Sequence, residues 1–362
     1  QNAGLGNAHH IGRIVLDPGN PDIAYAAVLG PLYSANTSGG VWKTSDGGVT
    51  WERVLQQAGD HGDAGAVDLI LDPSNSNRLF AALWDRTRRA WDFRGNGSGS
   101  GIWESTDAGA TWSELSAMDG FPKSEFTGRI GLAWHADSQQ LFALVDNQAP
   151  LPAEEDGEAS YAPDDFKAMT PAEFAALDTA LLEAYLEENN FPREANAASI
   201  LEDVAAGKLV PRDFYDYLTD GNRALFEADI AGAEVYRLPA DRAQWVRTHS
   251  EALEDVCYTY GYYFGLIEVD PTDADRLYIA GVPLIQSEDG GETWSSIGAP
   301  NVHVDHHHLW IDPANPDHLI NGNDGGINIS WDRGENWVKC NSPEVGQFYA
   351  VEVDNAEPYR IY

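Results

Sequence analysis

The segment that decides the fold is Thr44-Ser45-Asp46-Gly47-Gly48-Val49-Thr50-Trp51. Its pattern, Ser/Thr-x-Asp-x-Gly-x-Thr/Asn-Trp, returns at residues 105–112, 287–294 and 330–337, and we call these four octapeptides the box turns. An Asp that accepts backbone N–H groups, a Gly that adopts positive φ and a Trp that packs beneath them predict a hairpin turn. The repeated residues are therefore interpreted as structural: Asp46, Trp51, Asp107, Trp112, Asp289, Trp294, Asp332 and Trp337.

A second repeat alternates with the box turns and predicts two strands joined by a Pro/Asn turn. It starts at Ile14-Val15-Leu16-Asp17-Pro18 and recurs near residues 69, 132, 267 and 309. Its last three marker residues, Asp270, Asp312 and Asp354, are spaced 42 residues apart. This spacing is typical of one four-stranded propeller blade. The sequence therefore predicts an all-β fold: a β-propeller with five four-stranded blades, followed by the start of a sixth blade at residues 351–354.

Three regions are predicted along the chain. Residues 1–145 contain blades 1 and 2 and the first half of blade 3, whereas residues 235–362 contain the rest of blade 3, blades 4 and 5 and the start of the sixth. The interval 146–234 is predicted to be an acidic helical insertion, because Thr170-Pro171-Ala172-Glu173 is a capping box followed by apolar residues at helical spacing. Two interpretations of the insertion stay open: a lid or docking subdomain over the ring mouth, or a solvated decoration of the rim.

Composition excludes several classes of protein. The 22 basic and 58 acidic side chains give a net charge of −36, which repels nucleic acids and anionic membranes and suits a saline medium. The 12 Trp, 15 Tyr and 12 Phe argue against a disordered acidic chain. No apolar stretch is long enough to predict a membrane span. The two cysteines, Cys257 and Cys340, either form one disulfide bond or stay free.

The octapeptide resembles the Asp-box, or bacterial neuraminidase repeat, of sialidases, sortilin-type receptors and xyloglucan-cleaving glycosidases. The whole chain is similar to a bacterial family of large exported repeat proteins that are labelled glycosyl-hydrolase-like or sortilin-like. The matching segments are residues 10–14, Trp91-Asp92-Phe93, residues 258–263 and residues 303–307. This resemblance implies a secreted, periplasmic or cell-surface location in a bacterium from a marine or saline environment. It also implies that further blades come from the same longer chain or from a partner chain.

The face opposite the box turns is the candidate ligand-binding face, because the irregular loops and the crossings between blades collect there. Arg13 and Arg129 occupy matching Gly-Arg-Ile triplets on two inner strands and are expected to face the central channel. The arginines either form internal ion pairs or bind a carboxylate on a ligand, and the tyrosines either stack on sugars or fill the core. The predicted ligand-binding residues are His10, Arg13, Arg86, Arg88, Arg89, Arg129, Tyr260 and Tyr262.

A possible divalent metal site, for Zn or Ca, is predicted at His303, Asp305 and His307. In an extended segment these three side chains share one face, and two imidazoles with a carboxylate suit a transition metal. The alternative is a hydrogen-bonded polar cluster that holds the crossing between two blades.

The predicted function is a binding or scaffold module for a protein, a peptide or a glycan. The alternative is a glycoside hydrolase, xyloglucanase-like or sialidase-like, which needs two carboxyl groups across a cleft, about 6.5–9.5 Å apart in inverting enzymes. Asp92 and Asp305 are the weak catalytic candidates, and Asp63 and Asp68 are conceivable members of the pair. The Arg-Ile-Pro motif of sialidases is absent from the sequence, and no complete catalytic set is found.

Overall fold

The structure is a computed structural model that describes residues 4–6, 8–151, 161, 163–188, 191, 196–214, 230–250, 252–253, 256–257 and 261–340. Tyr260 and the start of the predicted sixth blade at residues 351–354 lie outside the described residues. The described part of the chain forms five antiparallel four-stranded sheets, two short hairpins and four helices.

The first two blades are consecutive in the chain. Blade 1 contains β1 (Ile11–Leu16), β2 (Ala24–Val28), β3 (Gly40–Thr44) and β4 (Glu52–Leu55), followed by a hairpin of β5 (Ala58–Gly59) and β6 (Gly62–Asp63). Blade 2 starts with β7 (Gly65–Leu71) and β8 (Leu79–Trp84), continues through a hairpin of β9 (Thr87–Arg89) and β10 (Asp92–Arg94), and ends with β11 (Gly101–Ser105) and β12 (Ser113–Glu114).

The remaining blades repeat this plan. Blade 3 contains β13 (Thr127–His135), β14 (Gln140–Pro150), β15 (Ile230–Leu238) and β16 (Val246–Arg247). Blade 4 contains β17 (Leu266–Asp270), β18 (Asp273–Ala280), β19 (Leu284–Ser287) and β20 (Ser295–Ser296). Blade 5 contains β21 (His306–Ile311), β22 (Leu319–Asn323), β23 (Gly326–Ser330) and β24 (Val338–Cys340).

The order of strands confirms the predicted β-propeller. In each sheet the four strands are paired in chain order, and the box turns connect the third strand to the fourth in blades 1, 2, 4 and 5. The first strands of successive blades contact one another in the order β1, β7, β13, β17 and β21. These first strands are therefore the inner strands of the propeller, and they surround a shared channel.

The hydrophobic core lies between neighbouring blades. Between blades 1 and 2, Tyr25 and Val41 of the first sheet pack with Leu69 of the second. Tyr278 and Leu284 of blade 4 form a cluster of the same kind with Leu309 of blade 5. The sheets of blades 2, 3 and 4 thus bury one face against the preceding blade and the other face against the following blade.

Hydrogen bonds to one aspartate organise each box turn. In the first, Asp46 accepts from the Thr50 amide at 2.9 Å and from the Thr50 and Thr44 hydroxyls at 2.6 and 2.8 Å. The hydrogen bonds from Thr50 and Thr44 lower the pKa of Asp46 to about 2. The same bonds recur around Asp107, Asp289 and Asp332. The aspartates are therefore ionised turn residues, as the pattern predicts.

The insertion in blade 3 has a small core of its own. Its helices are α1 (Pro163–Phe166), α2 (Pro171–Phe174), α3 (Thr179–Glu188) and α4 (Ala197–Ala205). Thr170 and Glu173 form the predicted capping box, and Phe166, Phe174 and Phe214 are buried together. Strand β14 continues to Pro150 and β15 begins at Ile230, so both ends of the interval 146–234 belong to the blade sheet.

The structure also shows the state of the two cysteines and the character of the helices. Cys257 and Cys340 are both free cysteines, and Cys257 is buried. None of the helices in the described ranges is long and apolar enough to cross a membrane.

Candidate ligand-binding face

The inner strands surround a cavity of about 380 Å³ at the centre of the propeller. The repeats align Ile14 with the apolar inner-strand residues at 69, 267 and 309, and in blade 3 the Gly-Arg-Ile triplet and the position of the strand bulge align it with Ile130. The position before it is therefore equivalent in all five blades. One residue from each blade lines the cavity at this position: Arg13, Asp68, Arg129, Leu266 and His308. We call these five side chains the channel ring.

Arg13 and Asp68 form an ion pair inside the channel ring. The Arg13 Nε lies 2.6 Å from the Asp68 Oδ1. Backbone amides of Leu69 and Leu132 donate to the two oxygens of the same carboxylate at 2.8 and 2.9 Å. The attraction of Asp68 raises the pKa of Arg13 above its usual range. Arg13 therefore has an internal partner, which is one of the two roles that the sequence left open.

Arg129 is held by neutral groups instead. Its Nη1 donates to the carbonyl oxygens of Tyr262 and Tyr263 at 3.1 and 2.8 Å. Its Nε is buried and has no hydrogen-bond partner within the described part of the chain. Burial lowers the pKa of Arg129. Both arginines of the matching triplets thus line the channel, but only Arg13 is directly paired with a carboxylate among the described residues.

Two further titratable groups lie near this ion pair. Glu268 follows Leu266 by two residues on β17, so both side chains point to the same face of the strand. Burial raises the pKa of Glu268 to about 8, although Arg13 opposes the shift. Burial also lowers the pKa of His308. Beside the Arg13–Asp68 pair, burial thus favours the uncharged forms of both Glu268 and His308.

A second cavity, of about 720 Å³, lies among the loops of blades 1 and 2. The exposed aromatic residues Tyr33 and Trp91 line it, with 66% and 81% of their surfaces accessible. Polar side chains of Asp60, His61 and Arg89 also line it. We call this cavity the loop groove. Exposed aromatic rings beside hydrogen-bonding side chains are a combination that binds amphipathic ligands.

A buried carboxylate fixes the loops around the groove. Asp85 accepts from the backbone amides of Asp60, Gly99 and His61 at 2.6, 3.1 and 3.3 Å. Asp60 in turn accepts from the Ser98 amide and hydroxyl at 2.8 and 2.7 Å, and these bonds lower the pKa of Asp60. These hydrogen bonds within the protein hold the groove wall in place without a bound ligand.

The three arginines of the second blade are divided among different contacts. Arg86 lies over the Trp84 ring at 5.2 Å, and burial lowers its pKa. Arg88 lies over the Phe93 ring at 5.5 Å and lines the groove together with the exposed Arg89. Arg88 and Arg89 line the groove, apart from Arg13 and Arg129 in the channel, whereas Arg86 lies within electrostatic reach of Arg129.

Other residues singled out in the sequence lie on the walls of neither cavity. The His10 Nδ1 is 3.1 Å from the Gly30 carbonyl oxygen. Tyr262 is half-buried against Phe93, with ring centroids 4.9 Å apart, which favours the interpretation as core. Asp92 is an exposed residue of β10 whose carboxylate is 3.8 Å from Arg94.

The structure does not assemble the predicted metal site. Asp305 has a positive φ of 64°, and β21 begins only at His306, so the extended segment on which the prediction depends is not formed. The His307 Nε2 contacts the Asp324 carboxylate at 2.7 Å, whereas the His303 Nδ1 contacts the Val304 carbonyl oxygen at 2.9 Å. Over the described ranges no group of three or more His, Cys, Asp or Glu side chains could hold a metal ion. Among the described residues, the crossing is therefore a hydrogen-bonded polar cluster, the alternative that the sequence left open.

The sequence did not single out three residues that line the loop groove, Tyr33, Asp60 and His61, or Glu268, which interacts with Arg13 and Asp68 of the channel ring. Tyr33 and His61 come from loops without a repeat pattern, so no periodicity places them. Glu268 did leave a signal, since it is a charged residue between Ile267 and Val269 in an otherwise apolar inner strand.

The fold and the two cavities define a β-propeller with a polar channel and an aromatic loop groove. No family model matches the chain. A xyloglucanase from Hypocrea jecorina (strain QM6a) is 32% identical over 115 residues, 30% of this chain and 12% of that protein. A xyloglucanase from Paenibacillus sp is 29% identical over 140 residues, 35% of this chain and 12% of that protein. The matched part of the chain thus spans about an eighth of the length of these relatives.

Similar solved structures are also propeller proteins. The GH74 xyloglucanase from Xanthomonas campestris has a TM-score of 0.47 at 14% identity, over 91% of this chain and 37% of that one. The GH74 enzyme from Niastella koreensis has a TM-score of 0.46 at 15% identity, over 89% and 36%. YCF48 bound to D1 peptide has a TM-score of 0.36 at 11% identity, over 92% and 81%.

Proposed function

We propose that the chain is part of an exported Asp-box propeller that binds a glycan in the loop groove. The observation that carries this proposal is the pair of exposed aromatic rings, Tyr33 and Trp91, on the wall of one cavity. Pyranose rings have apolar faces that stack on aromatic side chains and hydroxyl edges that need hydrogen-bonding partners. The groove offers both kinds of surface.

The polar side chains of the groove fit this ligand. His61, Arg88 and Arg89 supply donors, and Asp60 supplies a carboxylate that stays ionised because Ser98 donates two hydrogen bonds to it. The cavity of about 720 Å³ lies within the usual size range of ligand sites, about 300–1,000 Å³. The two similar xyloglucanases support a glycan over a peptide as the ligand.

The same groups argue for binding rather than hydrolysis in the groove. A glycoside hydrolase needs one protonated and one ionised carboxyl group at the scissile bond. Asp60 is the single carboxylate that lines the groove in the described part of the chain, and its lowered pKa prevents it from donating a proton at neutral pH. The described residues of the groove therefore do not supply the acid that such a reaction requires.

One observation favours the alternative, a glycoside hydrolase, at the other cavity. Beside the channel, burial raises the pKa of Glu268 to about 8, and this carboxyl group lies within electrostatic reach of Asp68. A carboxyl group with a raised pKa near a second carboxyl group is a feature of glycosidase active sites. Against this role, Asp68 already receives Arg13 and two backbone amides, so it is a weak base or nucleophile.

Binding is tested by titrating the protein with xyloglucan oligosaccharides in a calorimeter. We expect Trp91→Ala to weaken the affinity about tenfold or more, because it removes a stacking surface. The matched control is Trp331→Ala, which removes an exposed tryptophan of the fourth box turn, far from the loops that line the groove. Equal affinity of the wild type and Trp91→Ala, or no binding of xyloglucan or other neutral and acidic plant and bacterial glycans, would contradict the proposal.

Hydrolysis is tested separately by measuring reducing ends released from xyloglucan. If Glu268→Gln abolishes the activity and Trp91→Ala only reduces it, the alternative function, a glycoside hydrolase, is established. Activity that Glu268→Gln leaves unchanged would remove the channel carboxyls from the reaction.

A further inference from the structure

Three arginines of blades 2 and 3 form a group in which none has a carboxylate at ion-pair distance within the described part of the chain. Arg88 lines the loop groove, Arg129 lines the channel, and Arg86 lies within electrostatic reach of both. We call these three side chains the arginine row. The row thus leads from the wall of one cavity toward the other.

Other arginines of the described ranges are paired with carboxylates. Arg53 lies 2.6 Å from Asp63, and Arg242 lies 2.9 Å from Glu104. With 58 acidic side chains against 22 basic ones, the arginines of this chain have a large excess of potential partners. A group of three arginines without such partners therefore points to an anion from outside the chain.

The charge of Arg86 is poorly compensated. Its Nε is buried and has no hydrogen-bond partner within the described ranges. Burial, and then repulsion by Arg88 and Arg129, lower the pKa of Arg86, and no carboxylate of the described residues opposes this shift. A positive charge that is buried among like charges destabilises the fold unless a counter-charge is supplied.

Arg129, at the channel end of the row, is compensated in part. Burial lowers its pKa, whereas attraction by Asp68 and Asp146 opposes this shift. Asp68 is itself paired with Arg13 at 2.6 Å. The uncompensated positive charge is therefore concentrated at the end of the row that is next to the groove.

Aromatic rings support the two arginines at that end. Arg88 lies over the Phe93 ring at 5.5 Å, and Arg86 lies over the Trp84 ring at 5.2 Å. The two rings meet edge to face with centroids 6.5 Å apart, and the Trp84 Nε1 donates to the Gly95 carbonyl oxygen at 2.6 Å. A guanidinium group over an aromatic ring keeps its N–H groups in its own plane, where they bind paired oxygen atoms of an oxyanion.

We propose that the glycan of the loop groove is acidic and that its carboxylate or sulfate groups bind to the arginine row, first at Arg88 and then at Arg86. This assignment rests on the glycan proposal above. Tyr33 and Trp91 are expected to bind the sugar rings, and the arginines to bind the acidic groups on those rings. The row thus determines which glycans the groove selects.

The carboxylates near the groove leave its arginines available. Asp60 accepts two hydrogen bonds from Ser98. Asp92 is opposite Arg89 in the hairpin, but its carboxylate lies 3.8 Å from Arg94. The net charge of −36 repels an anion at long range, and salt screens this repulsion beyond about 8 Å at physiological ionic strength. The nearby arginines therefore determine the affinity.

The experiment compares glycans that differ only in charge. One pair is an oligogalacturonide and its methyl ester, which keeps the sugar backbone and lacks free carboxylates. The other pair is a sulfated galactan oligosaccharide and its desulfated form. In calorimetry at about 0.15 M salt, we expect one acidic form to bind about tenfold or more tightly than its neutral counterpart, because charged hydrogen bonds are added. The pair that shows this preference identifies the acidic group.

Variants then assign the preference to the row. Arg88→Gln and Arg86→Gln should each remove most of it, and circular dichroism verifies that both remain folded. The matched control is Arg94→Gln, which removes a positive charge from the same hairpin at a side chain that does not line the groove. It should keep the preference. Trp91→Ala should weaken the binding of both forms equally, because stacking does not depend on the charge of the glycan.

The outcomes distinguish this proposal from the glycan proposal on which it rests. Equal affinity for the acidic and neutral forms, weakened in both by Trp91→Ala, would overturn the role of the arginine row and leave the glycan proposal intact. Binding of xyloglucan but of neither acidic glycan would do the same. Absence of binding to every glycan would overturn both proposals. A preference for the acidic form that Arg88→Gln and Arg86→Gln leave unchanged would also overturn the role of the row.

Discussion

Arg13 of the first blade and Asp68 of the second lie at the same position of neighbouring inner strands and join at 2.6 Å. The pair crosses the seam between two blades at the channel wall. Its carboxylate also receives the amide of Leu132 from the third blade. One side chain thus connects three consecutive repeats, and this connection yields the first prediction.

Asp68→Asn should lower the free energy of unfolding by about 2–3 kcal/mol, because a mostly buried arginine loses its counter-charge and a backbone amide loses a charged acceptor. Urea unfolding at pH 7 measures the loss. The control is Asp324→Asn, which breaks the exposed contact with His307 and should cost about 0.5 kcal/mol or less. Equal losses of unfolding free energy in the two variants would show that the Arg13–Asp68 pair stabilises the fold no more than an exposed contact does.

Glu268 should make the protein less stable as the pH rises. Its pKa is about 8 in the folded chain and is raised from an ordinary 4.5, so the folded state loses stability as Glu268 ionises through pH 8. Burial also raises the pKa of Asp146, to about 6, which adds a loss of the same sign at lower pH. Of these two carboxyl groups, Glu268 should therefore cause most of the decline in unfolding free energy between pH 6 and 8.

Glu268→Gln is expected to flatten the decline in unfolding free energy between pH 6 and 8 and to raise the melting temperature at pH 8 more than at pH 5. Urea titrations at several pH values measure this difference. Glu292→Gln, at an exposed residue, serves as the control and should keep the wild-type slope. A Glu268→Gln variant with that same slope would mean that the carboxyl group ionises normally.

Ala108→Gly should stabilise the protein. Ala108 occupies a box-turn position at a φ of 59°, where the first and third box turns have glycine. Hydrogen bonds from Tyr25 and Lys43 to its carbonyl oxygen hold this conformation. Glycine removes the strain of a side chain at positive φ, for a gain of about 0.5–1 kcal/mol.

Thermal unfolding measures that gain, and Ala110→Gly is the matched control in the same turn. Ala110 has no positive φ, so glycine there should only add flexibility to the unfolded chain and lower the melting temperature slightly. If both variants lowered the melting temperature equally, the strain at residue 108 would be too small to matter.

Asp85→Asn should loosen the loop groove. The asparagine has one acceptor oxygen where the carboxylate has two, so at least one of the amides of Asp60, His61 and Gly99 loses its partner. We expect a loss of about 1–2 kcal/mol and faster hydrogen exchange at these amides. Asp137→Asn, at an exposed turn, should change neither quantity. Unchanged exchange in Asp85→Asn would show that the loops are held by other contacts.

The blades could be predicted from the sequence because their determinants are local. A box turn contains within eight residues the hydroxyl, the carboxylate and the glycine that form it, so each copy of the pattern identifies one turn. The capping box at Thr170 is local in the same way, and its hydrogen bonds are present as expected. The propeller follows when these units are counted at their constant spacing.

The cavities could not be predicted in the same way, since they depend on residues far apart in the chain. Tyr33 and Trp91 are 58 residues apart and meet only through the packing of two blades. The metal prediction shows a different difficulty. It assumed an extended backbone from His303 to His307, and one positive φ at Asp305 removed the alternation that brought the side chains together.

The channel ring has a consequence for how such a protein can change. Each of the five inner strands contributes one side chain at the same structural position, whereas the box turns lie at a different part of each blade. Arginine, aspartate, leucine and histidine already occupy this position in different repeats of a single chain. Apart from the Arg13–Asp68 pair, which joins the blades, the residues that line the channel can therefore be substituted without changing the box turns.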